Sequence, residues 1–250
     1  MKSRQIALIF LLVFDSFGFA QKTKQNQRIW FAYTGQYKVA KNWGYHVDGQ
    51  FRLDNNLERN YQNLFRVGGI YYLTDSKSIA CGYAFVSTYL PANDDYFKEN
   101  RLWEQFQFSN KWLDNKNTIL NRFRLEQRWV EQLSVNVNQR NSSNYQNRFR
   151  YLSRNLIPIL SLNKSNDELY AVVQNEIFLT IGTNQINNKF VDQNRFFLGI
   201  GLSHLSSIRL EIGYMNHFIT SSSSSDIINS YGFTLFDAKF EFSKTIKGIC

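Results

Sequence analysis

The residues best suited to do chemistry are charged side chains repeating every second position. Arg122, Arg124, Glu126 and Arg128 form one such row, and Arg148, Arg150 and Arg154 form another farther along the chain. Such guanidinium rows can attract anionic solutes, as arginine rings do in selective pores. They can also be the filling of a closed β-structure, each buried charge satisfied by a carboxylate partner. Glu126 is embedded in the first row, and Glu168 and Glu176 share one parity in a later segment. The spacing therefore favours paired filling, with an anion-binding surface or a narrow anion path as the second reading. These seven residues are the candidate binding set.

The other reactive side chains offer less. His46 and His217 each fall on a polar parity, and Asp48 lies two residues after His46. A solvated or lining role suits both histidines. His204-Leu205-Ser206 has the His-x-Ser spacing of outer-membrane lipid A deacylases, and Glu211 is the candidate third group to orient the imidazole. That stretch reads as a short turn, away from the membrane leaflet that holds such a substrate, so no catalytic residue is assigned. A lipid-modifying barrel enzyme stays as the alternative function. The two cysteines, Cys81 and Cys250, lie far apart and have no metal-ligand neighbours. No phosphate loop, zinc spacing or calcium loop occurs, so no cofactor and no metal are expected.

Side chains that alternate in type need an element that alternates in direction. From Trp43 to Asp54, Trp43, Tyr45, Val47, Gly49, Phe51 and Leu53 interleave with Gly44, His46, Asp48, Gln50, Arg52 and Asp54. Successive strand residues point to opposite sides, so this is a strand with one apolar and one polar face. The same period carries Phe123, Leu125 and Trp129 against the first arginine row. It recurs through Leu169–Leu179, Phe196–Leu202 and Ile208–Phe218. Eleven such segments can be counted, with the apolar parity slipping after Asp237. Short polar turns are expected near 40–42, 74–77, 114–117 and 204–207. Longer loops are expected near 55–60, 91–100, 131–144, 181–190 and 220–226. Trp43 and Trp112 sit beside short turns and Trp129 beside a long loop, as two interfacial girdles require.

Composition fits. Aromatics make up 16% of the 250 residues and there are only two prolines, which suits long uninterrupted ladders. Mean hydropathy is negative and no apolar run beyond the N-terminus is long enough for a membrane helix, but a barrel hides its apolar half behind a polar lumen. Lys2 and Arg4, the apolar stretch Ile6–Phe14 and Gly18-Phe19-Ala20 form an export signal cleaved after residue 20. Cleavage takes 29 basic and 20 acidic residues to 27 and 19, a balance of +8. For an exported chain that charge suits anionic lipid head groups, sugars or small solutes rather than nucleic acid.

The segments also resemble a known family. Trp30–Tyr37, Asp48–Arg52, Glu99–Gln105, Asn121–Arg128, Asn147–Tyr151, Asp192–Arg195 and Gly213–Asn216, taken in order, are similar to the uncharacterised outer-membrane family called domain of unknown function 2490. The resemblance spans roughly Ile29 to Phe236 and implies a barrel in the Gram-negative outer membrane, with no activity attached. The expectation is an all-β, antiparallel up-and-down transmembrane barrel of 10–12 strands occupying 21–250, structural or a narrow porin-like channel for small, anionic solutes. Its expected partners are outer-membrane lipid and the barrel-assembly machinery. A soluble secreted β-protein is the third reading.

Overall fold

The computed structural model describes residues 23–54, 58–113, 116–132, 142–162, 167–182, 186, 189–204, 208–220 and 225–241, with backbone alone in 23–26 and 225–241. The expected export segment and Cys250 lie outside the described residues.

Eleven strands follow in order: β1 (Thr23–Lys38), β2 (Trp43–Asp54), β3 (Arg59–Thr74), β4 (Lys77–Leu90), β5 (Asp95–Trp112), β6 (Asn117–Glu131), β7 (Ser143–Ser161), β8 (Glu168–Ile181), β9 (Val191–His204), β10 (Ile208–Thr220) and β11 (Ser225–Glu241). Each pairs antiparallel with the next, as alternating patterns joined by brief polar turns dictate. The sheet closes on itself between β1 and β11, and those two run parallel. The parallel seam follows from arithmetic. Direction alternates along an up-and-down meander, so the first and eleventh strands point the same way. The expected antiparallel description holds for every sequential pair and fails only at this ladder.

The slip in parity after Asp237 is a bulge. Gln36 pairs with Ala238 and Tyr37 with Phe240, leaving Lys239 as the extra residue. Pro158 is accommodated in β7 by a similar shift between Pro158 and Leu160.

The connections fall at two mouths. At the turn mouth β1, β3, β5, β7 and β9 end and β2, β4, β6, β8 and β10 begin, and at the loop mouth β2, β4, β6, β8 and β10 end and β3, β5, β7, β9 and β11 begin. The asymmetry is smaller than the polar composition suggests. The loop expected over 91–100 ends at Asp94, because Tyr96 and Phe97 already pair with Tyr89 and Thr88. Tyr96 also packs edge-on against Tyr89 and donates to the Asn60 carbonyl at 2.6 Å. A polar Asp94-Asp95 pair had masked a strand start.

The stagger of the ring sets its width. Stepping from partner to partner around the barrel from Phe97 through Arg52, Trp30, Gly213 and Leu156 returns to β5 at Lys111, fourteen residues along. Eleven strands about 4.8 Å apart and tilted about 40° make a ring roughly 20 Å across between backbones. Long side chains from different walls can meet across that space.

Candidate functional site

Burial in this molecule is inverted. The buried set is rich in arginine and carboxylate, including Arg66, Glu99, Arg101, Arg124, Glu126 and Arg148, whereas Phe51, Phe65, Leu102, Leu198 and Ile200 stand exposed. The polar parity of β2 to β10 lines the lumen. Removing that many charges from water is costly, so they must be paired within.

The seven candidate residues converge there. Glu126 on β6 accepts from Arg148 on β7 at 2.6 and 3.0 Å and from Arg150 at 2.5 Å, with Arg124 3.8 Å away. Glu176 on β8 takes Arg150 at 2.7 Å and Arg122 at 2.8 Å. Arg154 bridges to Glu211 on β10, whose same oxygen accepts from the Tyr170 hydroxyl at 2.6 Å. Arg128 pairs with Glu99, which also takes both edges of Arg101 at 2.6 and 2.8 Å. The structure thus favours the paired reading for all seven. Sequence parity found the rows but missed most of the carboxylates, Asp48, Glu99, Asp192 and Glu211, because barrel tilt decides which distant residues share a level. Asp48 with Arg66, and Asp192 with Arg148 at 3.3 Å, complete the ladder.

Toward the turn mouth the filling turns aromatic. Trp103 is 1% exposed and lies against Gly68 and Gly82, where an added Cβ would press on the indole. Glycine at these two paired positions is what lets a flat ring lie on the barrel wall. The His46 ring meets Trp103 edge-on at 5.6 Å, and the Arg124 guanidinium sits 5.0 Å from the indole. Tyr170, Val172, Phe197 and Met215 form a second apolar cluster on the opposite side of the ring.

Toward the loop mouth, a cavity of about 220 Å³ is lined by eight arginines and one carboxylate, Glu99. Arg52 and Arg195 lie near one indole, their Cζ atoms 3.7 and 5.1 Å from the Trp30 ring centre. Their hydrogen-bond partners are neutral. Arg52 donates to Gln62 at 2.5 Å and Gln50 at 2.8 Å, and Arg195 to Gln193 at 3.1 Å and His217 at 3.2 Å. No motif announced this meeting. The residues come from β1, β2, β9 and β10, and only closure of the ring joins them. A second cavity of about 130 Å³ lies deeper, between Asp48, Arg122 and Glu211.

The catalytic pairing suggested by His204 and Glu211 is not assembled. His204 sits at the turn mouth and its Nδ1 lies 2.9 Å from Asp167, whereas Glu211 is committed to Arg154 and Tyr170. Ser206 lies outside the described residues. His46 and His217 both line the lumen, as their parity implied. Among the described residues, no group of three His, Cys, Asp or Glu side chains is placed to hold a metal ion.

Comparison with known sequences adds one finding. A family model described as a protein of unknown function, DUF2490, matches residues 27–227. No curated protein and no solved structure matches.

Proposed function

The chain belongs to the DUF2490 family, whose description assigns no activity, and from that premise we propose that it is an outer-membrane β-barrel with a filled lumen, built for structure or small-solute binding rather than for bulk diffusion. One observation carries this reading: charged residues are buried inside the ring while large apolar residues stand exposed outside it. In water that arrangement leaves an apolar belt uncovered; in a bilayer it is the expected one. Strands of 12 to 19 residues exceed the 9–11 or so that a tilted strand needs to cross. Trp43 and Trp112 project outward beside the turn mouth, as an interfacial girdle does. The export signal expected over residues 1–20 supports the same compartment.

The filled lumen separates this barrel from a general porin. Wide aqueous paths belong to rings of sixteen or more strands, and the lumen space among the described residues is divided into a turn-mouth vestibule of about 580 Å³ and cavities of about 220 and 130 Å³ farther in. The test has two parts. The mature chain should fractionate with outer membranes and migrate faster in detergent gels before heating than after. Purely soluble recovery overturns the membrane reading. In planar bilayers the folded protein should give no porin-sized conductance steps, and large steps at rest overturn the filled lumen.

A further inference from the structure

We propose that the lumen holds a binding site for a small soluble oxyanion, carboxylate or phosphate, between Arg52 and Arg195 at the loop-mouth cavity; this rests on the filled-barrel reading above.

The arginines of the lumen fall into two classes. Arg66, Arg101, Arg122, Arg124, Arg128, Arg148, Arg150 and Arg154 each lie within 4 Å of a carboxylate. Arg52 and Arg195 instead meet glutamine oxygens and an imidazole, which orient a guanidinium without cancelling its charge. Arg28 joins them, stacked on Tyr61 at 3.6 Å. These three cations, none of them in an ion pair among the described residues, line one cavity. Among the described residues its only lining carboxylate, Glu99, is already shared by Arg101 and Arg128.

Two guanidiniums near one indole repel each other, and burial strengthens the repulsion. Arg52 is only 8% exposed, and its Nε has no hydrogen-bond partner among the described residues; nor has the Trp30 Nε1. Donors in that state are costly unless an acceptor reaches them. A carboxylate or phosphate supplies both the acceptors and the missing negative charge, and it matches the guanidinium fork in two-point geometry. The cavity is smaller than the 300 Å³ or so at which drug-sized sites begin, so the ligand has few heavy atoms. Because the ring of strands separates the cavity from surrounding lipid, the anion comes from solution and not from a head group.

The experiment uses the full mature chain refolded in neutral detergent at low ionic strength. Inorganic phosphate and succinate are titrated separately, with sodium chloride at matched ionic strength as the control. Thermal unfolding and tryptophan fluorescence are both followed. At least one oxyanion should raise the unfolding midpoint saturably where chloride does not, a phosphate-only or succinate-only response choosing between the two chemistries. Arg52→Gln and Arg195→Gln should each weaken that response about tenfold or more, as loss of a charge-assisted contact does. Arg59→Gln, a rim arginine paired with Asp54, should leave it intact. If either lumen variant fails to fold, Trp30→Phe keeps the stacking ring, removes one donor and should still weaken the response. Heat-modifiable migration without a saturable oxyanion effect overturns the site alone, as does wild-type affinity in the folded variants. Loss of heat-modifiable migration in the wild type overturns the barrel reading itself.

Discussion

Glu126 and Arg148 are direct partners across β6 and β7, and the guanidinium donates from Nη2 to the carboxylate at 2.6 Å with both side chains almost wholly buried. The same carboxylate also holds Arg150. Removing its charge leaves Arg148 with Asp192 alone and Arg150 to share Glu176 with Arg122. Glu126→Gln should therefore cost roughly 3–5 kcal/mol in unfolding free energy, the range for breaking a buried ion pair from one side. Glu168→Gln, at the turn mouth, should cost about 0.5 kcal/mol or less, as surface changes do. Denaturant unfolding of vesicle-embedded protein measures both. Equal effects would mean that water screens the ladder throughout.

Gly82 faces Trp103 directly across β4 and β5. A Cβ at Gly82 would sit 2.8 Å from the indole and 2.5 Å from the Gly68 Cα. Gly82→Val should block folding or displace the indole, seen as a red shift of tryptophan emission. Trp103→Ala should fold but lose about 3–5 kcal/mol, the usual cost of emptying a large aromatic site. A Gly82→Val protein with unchanged emission and stability would contradict this packing.

Leu198 is 51% exposed at the middle of β9, on the parity opposite to Arg195 and Phe197. If that face meets lipid, Leu198→Arg should destabilise the vesicle-embedded barrel by about 2–4 kcal/mol, the cost of a cation near the bilayer midplane. In water the same change should be close to neutral. A neutral outcome in vesicles would remove the face from the membrane.

Cys81 is an exposed free thiol on the outer parity of β4, close to Ile79 and Phe106. With Cys250 replaced by Ser, vesicle-embedded protein should react with an apolar maleimide and resist a charged, membrane-impermeant thiol reagent. Unfolding in denaturant should equalise the two rates. Equal rates in the folded state would place Cys81 in water.

The fold was largely legible because its cause is local. Alternation over Trp43–Asp54 marked β2 to the residue, and the eleven patterned segments are the eleven strands. What composition obscured were strand ends, as at Asp95, where acidic residues resembled loop although their backbones pair. The arginine rows were legible by the same parity. Their partners were not, since Arg154 finds Glu211 and Arg122 finds Glu176 through tilt and closure, not through sequence distance. Still less visible was the meeting of Arg52 and Arg195 at Trp30. That depends on the seam through which β1 meets β11.

The seam has a kinetic consequence. Every other ladder joins chain neighbours through a brief connection, but the β1–β11 ladder begins by pairing Thr23 with Ser225. The loop-closure entropy of the whole chain is thus concentrated in one contact, and local hairpins can form before it. Folding should proceed as a growing curved sheet that zips shut in a final, slow event. Until then Trp30 has no neighbour on its β11 side, so quenching or anisotropy at that indole offers a clock for the last step.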